Sequence, residues 1–223
     1  MNPTMNAALD HHAQRLVALI NAQFNPPDLL LHSARLLADT EEPITVERVA
    51  AAGGWSVDAV RAELARHPGV DWDDEGRIVG FGLTLRPTAH AFTFGERTVY
   101  GFCASDALMY PVMLGRPGLV ESSCPVTGQP IRVELTPNAV VAVQPATAVV
   151  SKVRPDQPVT DVRSEICALG SFIASPDDAA GWLAQHPHGE VVPVAEDFEV
   201  NRLAMIELDW AAPGIDPARG GRP

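Results

Sequence analysis

The stretch at residues 45–85, TVERVAAAGGWSVDAVRAELARHPGVDWDDEGRIVGFGLTL, indicates the fold of the first part of the chain. Thr45 and Ser56 each precede a short run with helical spacing of apolar residues, where a hydroxyl side chain can cap the helix start. A polar turn at residues 73–76 then precedes a strand predicted over residues 77–85, which indicates a hairpin. Two short helices followed by a hairpin form the second half of a winged-helix pattern.

Two further helices are predicted ahead of this stretch. Leu9, Leu16 and Ile20 mark an amphipathic helix in the first 25 residues, which Pro26 and Pro27 end because proline breaks helices. A second helix is predicted over residues 28–38. With the helices and hairpin that follow, these elements predict an N-terminal helical, winged-helix-like module over residues 1–86.

The charge of this module indicates whether it is suited to bind DNA. Between residues 28 and 86 the sequence has eleven acidic residues against six arginines. The predicted recognition helix over residues 57–67 offsets its two arginines with Asp58 and Glu63. A helix that binds DNA is strongly basic on one face, so the pattern favours a packing or docking module over a DNA-binding one.

From about residue 89 the pattern changes to strands mixed with helices. Turn residues separate the predicted strands at residues 91–94, 98–100, 118–123, 131–135, 140–143, 148–153 and 191–194. Helices are predicted over residues 103–113, 162–172, 198–208 and from residue 176. We therefore predict an α+β fold, in which the module is followed by a mixed β-sheet core with flanking helices over residues 87–210. The Pro- and Gly-rich residues 211–223 are predicted to be a disordered tail.

The overall composition narrows the range of partners and compartments. The net charge of −12 argues against nucleic acid or an anionic membrane as the main partner. The sequence has neither an apolar run of membrane-spanning length nor a secretory signal pattern at its start. Its three cysteines are odd in number and widely spaced, which disfavours a disulfide framework and indicates a reducing cytoplasm.

A thiol and a carboxyl stand three residues apart where one of these helices is predicted to begin. At this spacing Cys103 and Asp106 share a helix face. The helix N-terminus is expected to stabilise a thiolate and so to lower the pKa of Cys103. Such a pair can bind a soft metal and supply a proton, although from spacing alone a buried core cysteine and an ordinary first-turn acid are the more common explanation.

The other two cysteines are less informative by position. Cys167 lies in an apolar stretch and is either a core thiol or a second soft ligand that the fold brings to Cys103. Two thiolates suit Cu(I), Zn(II) or Hg(II). Cys124 precedes a turn, and without a CxxC partner a tetrahedral zinc site is not expected, so we assign it a structural role.

Several blocks in a fixed order resemble the organomercurial lyase (alkylmercury lyase) family. The resemblance covers roughly residues 28 to 206, and an ordered set of blocks is more specific than any single motif. The blocks are residues 74–88, the Cys-Ala-x-Asp motif at 103–106, residues 108–111 and 114–116, the Ser-x-Cys-x-x-Thr-Gly-x-Pro motif at 122–130, residues 161–163 leading to Cys167, and residues 172–175, 196–198 and 201–202.

The resemblance implies both a fold and a set of residue roles. It implies a winged-helix-like module followed by a mixed-sheet core, with Cys103 and Cys167 as the mercury-binding cysteines, Asp106 as the catalytic acid and Cys124 as a structural cysteine. Some members carry Trp where Phe102 stands, and some carry Cys and His at residues 168–169, where this chain has Ala and Leu. These departures affect the shape of the pocket but replace no residue with an assigned role.

The implied reaction is protonolysis of a carbon–mercury bond in mercury detoxification. The thiolates of Cys103 and Cys167 bind R–Hg⁺, and Asp106, having taken a proton from an incoming thiol, protonates the departing carbon. This requires an apolar site that raises the pKa of Asp106. The resemblance implies no cofactor, a need for exogenous thiols in turnover, Hg(II) as bound product and a possible transfer of Hg(II) to a mercuric reductase.

Two alternatives keep the same residues but change the function. A non-enzymatic soft-metal-binding protein or sensor would use both thiols and would not need Asp106. A winged-helix regulator would bind DNA in a salt-dependent way, which the acidic excess of the module disfavours.

Overall fold

A computed structural model describes residues 3–153 and 159–216 of the chain. The helices of this part are α1 (Pro3–Gln23), α2 (Asp28–Thr40), α3 (Val46–Gly53), α4 (Val57–Leu64), α5 (Ala104–Leu114), α6 (Val162–Glu165), the 3₁₀ turn Cys167–Leu169, α7 (Ala180–Gln185) and α8 (Val194–Glu207). The strands are β1 (Asp71–Trp72), β2 (Ile78–Gly80), β3 (His90–Phe94), β4 (Arg97–Gly101), β5 (Gly118–Ser123), β6 (Pro130–Leu135), β7 (Val140–Gln144), β8 (Val149–Val153), β9 (Phe172–Ile173) and β10 (Gly189–Pro193). The predicted α+β class is confirmed.

The winged-helix arrangement forms as predicted from its capping residues. The Thr45 hydroxyl accepts a hydrogen bond from the backbone N–H of Arg48, and the Ser56 hydroxyl accepts one from the backbone N–H of Ala59, each at 3.2 Å. Both contacts satisfy amide groups that have no partner inside the helix. Strands β1 and β2 pair antiparallel as the wing.

The second wing strand is shorter than the sequence indicated. Regular pairing covers only β2, and in the rest of the predicted strand at residues 77–85 only Thr84 forms isolated bridges. Gly82 explains the break, because its φ of 78° turns the chain in a conformation that favours glycine.

The core sheets are antiparallel, not mixed as we predicted. Within the described residues, five strands run in the order β4-β3-β5-β6-β7 and three in the order β10-β8-β9, and every pair in these sheets is antiparallel. Short turns join β3 to β4 and β6 to β7, and a short turn can only reverse the chain direction, whereas parallel strands need a longer crossover.

The N-terminal helices pack on the core instead of standing apart from it. Helix α1 lies along α8, and α5 lies between α8 and the five-stranded sheet. The indole N–H of Trp210 donates to Asp28 at 2.7 Å, and Arg35 donates to the carbonyl of Trp210 at 3.0 Å. The helices before and after the predicted boundary between residues 86 and 87 therefore share a buried contact surface. The boundary itself remains a prediction.

Two predicted segments differ from the structure. The helix predicted over residues 162–172 is instead α6, the 3₁₀ turn and β9, because Ile166 leaves helical geometry (φ −122°, ψ −61°) and Gly170 is extended. Residues 211–216 of the predicted disordered tail are packed: the backbone N–H of Ala212 donates to the Val112 carbonyl at 2.9 Å, and Arg202 donates to the Asp216 carbonyl at 2.7 Å. Residues 217–223 of that tail lie outside the described residues.

Candidate active site

Three side chains singled out in the sequence converge at one place. The ligand atoms of Cys103, Asp106 and Cys167 lie within 4.8 Å of one another. Within residues 3–153 and 159–216 they are the one group of at least three Cys, His, Asp or Glu side chains close enough to hold a single metal ion. Two sulfurs and one carboxylate form a set suited to a soft ion with an acid beside it.

The start of α5 fixes the first thiol and the carboxyl against each other. Cys103 is the N-cap of α5, and its Sγ accepts a hydrogen bond from the backbone N–H of Asp106 at 3.4 Å. In return, the backbone N–H of Cys103 donates to Oδ2 of Asp106 at 3.1 Å. This reciprocal capping box satisfies two amide groups of the helix start and sets the geometry of both functional side chains.

Glycines make room for this turn on two sides. A Cβ on Gly101 would lie 2.8 Å from the Cys103 carbonyl oxygen and 3.1 Å from the Ala107 backbone nitrogen. A Cβ on Gly170 would lie 3.0 Å from the Cβ of Cys103. The contact at Gly101 is closer than real side chains approach, and the one at Gly170 is tighter than most, so the absence of a side chain lets the chain on each side approach Cys103 closely.

The second thiol reaches the site on a short turn of different character. Cys167 opens the 3₁₀ turn, and neither that turn nor α6 contains a buried residue. The Ser151 hydroxyl donates to the carbonyl of Leu169 at 3.0 Å, and the backbone N–H of Ala104 donates to the carbonyl of Gly170 at 3.1 Å. These contacts hold the turn against β8 and the first residue of α5.

A largely apolar cavity of about 470 Å³ opens onto the three groups. Its walls come from α1, α5 and the segment after β2, and include Leu16, Ile20, Phe81, Phe102 and Met109. Such a wall excludes water and accepts the apolar group of a small ligand.

The pKa of the Cys103 thiol differs from our expectation. This pKa is raised well above the ordinary value, first by a hydrogen bond with the Cys167 thiol and then by burial and the nearby Asp106 carboxylate. The helix N-terminus does supply one stabilising contact, the backbone N–H of Asp106, but the other effects outweigh it. The expected lowering of the Cys103 pKa is therefore wrong, and the surroundings of Cys103 favour its neutral thiol form.

The expectation for Asp106 agrees with the structure. Burial raises the pKa of its carboxyl to about 6, even though hydrogen bonds from Cys103 act in the opposite direction. A carboxyl with a pKa near neutrality can accept a proton and give it back at the same pH.

A buried polar network behind α5 was not singled out by sequence reasoning. Asp197 on α8 is fully buried; its carboxylate pairs with Lys152 and accepts a hydrogen bond from the Ser105 hydroxyl at 2.6 Å. Ser105 directly precedes Asp106, so the network attaches the start of α5 to α8 and β8. Asp197 directly precedes the helix predicted over residues 198–208, where an acid resembles an ordinary surface residue, and only the matching block at residues 196–198 marked this position.

Cys124 lies outside the cluster, and its structural role remains a prediction. It is 2% exposed at the turn between β5 and β6. Burial raises the pKa of its thiol, but hydrogen bonds from Thr127 and from the backbone N–H groups of Ala174, Thr127 and Val126 outweigh burial and lower it. The sulfur is thus bound both by its own turn and by the segment after β9 that contains Ala174.

Comparison with known proteins agrees with this geometry. Residues 83–205 match the family model described as alkylmercury lyase, and residues 18–82 match the helix-turn-helix domain of alkylmercury lyase. The chain is 41% identical to an alkylmercury lyase of Streptomyces lividans over 201 residues, covering 87% of this chain and 93% of that protein. It is 43% identical to an alkylmercury lyase of Bacillus cereus over 172 residues, covering 77% and 78%.

The fold also matches a solved structure. The crystal structure of the mercury-bound form of MerB2 superposes with a TM-score of 0.71 at 22% identity, covering 87% of this chain and 98% of that one. At this identity the match concerns the fold alone, whereas the family models and the curated relatives concern the sequence. Taken together, they show that the chain belongs to the alkylmercury lyase family.

Proposed function

We propose that Cys103, Cys167 and Asp106 carry out the cleavage of the carbon–mercury bond in this organomercurial lyase. The observation that carries the proposal is the convergence of two thiols and one carboxyl, from two separate segments, within 4.8 Å. Thiolates are the protein ligands with the highest preference for soft ions such as Hg(II).

The raised pKa values of Cys103 and Asp106 suit the first step. An organomercurial R–Hg–X, in which X is a small thiolate, enters the apolar cavity and exchanges X for a protein thiol. The proton that this thiol loses leaves with X as a free thiol. Since the pKa of Asp106 is about 6, its carboxyl is mostly ionised at neutral pH and can take the proton of the second thiol as that sulfur joins mercury.

The bond then breaks with a complete proton balance. Asp106 gives its proton to the carbon, which departs as R–H with the electron pair of the carbon–mercury bond, and Hg(II) remains on the thiolates of Cys103 and Cys167. Burial of Asp106 favours this transfer, because a neutral carboxylic acid is more stable than a carboxylate in an apolar site. The two protein thiols lose two protons in total, one to X and one to R–H.

Release of mercury needs thiols from solution and, in our proposal, no cofactor. Two small thiols exchange with the bis-thiolate Hg(II) complex, return their protons to Cys103 and Cys167, and carry the metal away. We propose that the product passes to a mercuric reductase and that the protein works in the cytoplasm. Three free cysteines support this placement, because a reducing compartment maintains such thiols.

Neither a nucleic acid nor a membrane has a place in this proposal. The acidic excess of the winged-helix module supports a packing role for it. Among the residues that the structure describes, no helix combines the length and the apolar character that a membrane crossing requires.

The experiment compares the wild-type chain with three variants, in each of which one cysteine is replaced by serine. Purified protein is given methylmercury with excess thiol, and methane is measured. We expect the activity of Cys103→Ser and of Cys167→Ser to fall by at least about a thousandfold. When residues act together in catalysis, replacing any one of them removes most of the activity. Cys124→Ser is the matched control and should keep most of the activity. Wild-type turnover in both Cys103→Ser and Cys167→Ser would overturn the proposal.

A further inference from the structure

The segment that carries Cys167 has hydrogen bonds within it, such as those that Glu165 accepts from Thr160 and Asp161, but its helical turns have no apolar anchor. Its α6 and 3₁₀ turns contain no buried residue, so no apolar side chain anchors either turn in the core. The C-terminal end of the segment is tied to Ser151 and Ala104 through backbone carbonyls. Long-range contacts to its N-terminal end therefore come from polar side chains: the side-chain amide of Gln23 donates to the Val159 carbonyl at 2.8 Å, and Arg163 binds the wing.

Arg163 connects this segment to the wing of the winged-helix module. Its Nη1 donates to Oδ1 of Asp71 at 2.6 Å and to the carbonyl of Gly69 at 3.0 Å. The other carboxylate oxygen of Asp71 accepts a hydrogen bond from the Thr84 hydroxyl at 3.0 Å, so the acceptor is itself held in place. Because the Asp71 side chain is only 10% exposed, this ion pair is better shielded from solvent than an ordinary surface pair.

The backbone of the wing leaves space for the arginine. A Cβ on Gly69 would lie 2.9 Å from the Cβ of Arg163, closer than side chains approach one another. The two chain segments thus meet at a point where one of them has no side chain.

The same guanidinium also contacts the residue next to the first thiol. The Cζ atom of Arg163 lies 4.3 Å from the ring centroid of Phe102, within the range of a cation–π contact. Phe102 immediately precedes Cys103, and Arg163 stands four residues ahead of Cys167. One side chain therefore joins the wing, the segment of the first thiol and the segment of the second.

We propose that Arg163 is a positioning residue, which fixes the Cys167 turn against Cys103 by binding Asp71 and the Gly69 carbonyl and by stacking on Phe102. It touches neither mercury nor the carbon in this role and acts through Cys167. The inference rests on the proposed roles of Cys103 and Cys167. It also gives the winged-helix module a function in this chain, since the wing supplies the acceptors that hold the second thiol.

The test measures how firmly the two thiols retain one Hg(II) ion. The protein is loaded with Hg(II), and the rate of metal loss to dithiothreitol is followed together with kcat and KM for methylmercury. We expect Arg163→Ala and Asp71→Asn to lose Hg(II) about tenfold faster or more, the usual effect of removing a residue that orients a metal ligand. We expect kcat to fall by a similar factor with little change in KM.

Two further variants separate positioning from general stability. Arg77→Ala is the matched control, because Arg77 pairs with Asp73 on the same wing, has a side chain of similar exposure (42% against 39%) and takes no part in the proposed site. It should retain wild-type mercury loss and turnover. Arg163→Lys keeps the charge but not the planar fork, so it should recover part of the retention that Arg163→Ala loses.

The outcomes that overturn the inference differ from those that overturn the proposed function. Wild-type Hg(II) retention and kcat in Arg163→Ala would refute a positioning role. An equal loss in Arg77→Ala, in step with the free energy of unfolding, would also refute it, because the effect would then be general. If the cysteine variants are inactive while Arg163→Ala behaves as wild type, only the inference about Arg163 fails.

Discussion

Cys103 and Cys167 reach the same cavity on supports of opposite kinds. Cys103 is 5% exposed and is fixed by its own helix, through the capping box at the start of α5. Cys167 is half-buried on a 3₁₀ turn without buried residues, and contacts to residues distant in sequence hold that turn in place. Local structure thus builds one half of the site, and tertiary contacts build the other.

This difference determines which substitutions affect which half. Changes inside the turn at residues 103–106 act on both a thiol and the proton-carrying acid, because the two are hydrogen-bonded to each other. Changes at Gly170, Ser151 or Arg163 act on the distance between the two thiols and leave the first thiol and its acid in place.

The largest effect in the helix-capped half is expected for Asp106→Asn. The amide can still accept the hydrogen bond from the Cys103 backbone N–H, so the turn is preserved, but it cannot carry a proton to carbon. We expect turnover to fall by about a hundredfold or more, the usual contribution of a general acid–base group. Methane release from methylmercury measures turnover, and binding of one Hg(II) per chain is the control for an intact thiol pair. Wild-type turnover in this variant would remove Asp106 from the mechanism.

The same carboxyl should make stability depend on pH. Its pKa is about 6 in the folded chain and about 4 in an unfolded one, so the folded state binds the proton more tightly. The stabilisation is fully present below pH 4 and is lost as the pH rises to and through 6, by up to about 3 kcal/mol. Urea unfolding at several pH values, for wild type and Asp106→Asn, isolates this contribution as the difference between the two curves. Curves that run parallel from pH 4 to pH 7 would contradict the raised pKa.

In the other half, Gly170→Ala should push the Cys167 turn away from Cys103. The new Cβ would meet the Cβ of Cys103 at 3.0 Å, and relief of such crowding costs about 1–3 kcal/mol. We expect lower stability and weaker retention of Hg(II). Gly181→Ala in α7 is the matched control, because a Cβ there meets nothing within 4 Å, and it should be neutral or stabilising. Equal Hg(II) retention in the two variants would show that the close approach at Gly170 is not needed.

The smallest expected effect is the loss of stability when the N-cap of α5 is removed. Cys103→Ser keeps an N-cap acceptor, whereas Cys103→Ala removes it, which usually costs about 1 kcal/mol. We expect both variants to be inactive and the alanine variant to be the less stable of the two by about that amount. Thermal unfolding measures the difference. Equal stability would show that the Sγ contact at 3.4 Å contributes nothing to the helix start.

The contrast also explains how much the sequence could predict. Thr45 and Ser56 mark helix starts by local chemistry, and the helices that they begin formed as predicted. The pair of Cys103 and Asp106 was visible for the same reason, since three residues on a helix fix their relation. Cys167 was identified only through resemblance to the family, because its place depends on contacts with Ser151 and Asp71 that no local pattern encodes.

The misassigned elements have similar causes. The apolar run at residues 166–173 satisfies a helix pattern, yet the extended Gly170 that lets the chain approach Cys103 breaks it. The expected acidic thiol at Cys103 was wrong because a helix start lowers a thiol pKa only when burial and neighbouring groups do not oppose it. Both errors fall at the candidate active site, where tertiary contacts override local preference.

The most direct test of the account is to count the sulfur atoms bound to Hg(II) that is loaded directly onto the chain. X-ray absorption is recorded on chains with Cys124→Ser, with and without Cys167→Ser, after removal of small thiols. We expect two sulfur ligands when Cys167 is present and one when it is replaced. A single protein sulfur on mercury in the chain that keeps both Cys103 and Cys167 would contradict the claim that the two segments close on one ion.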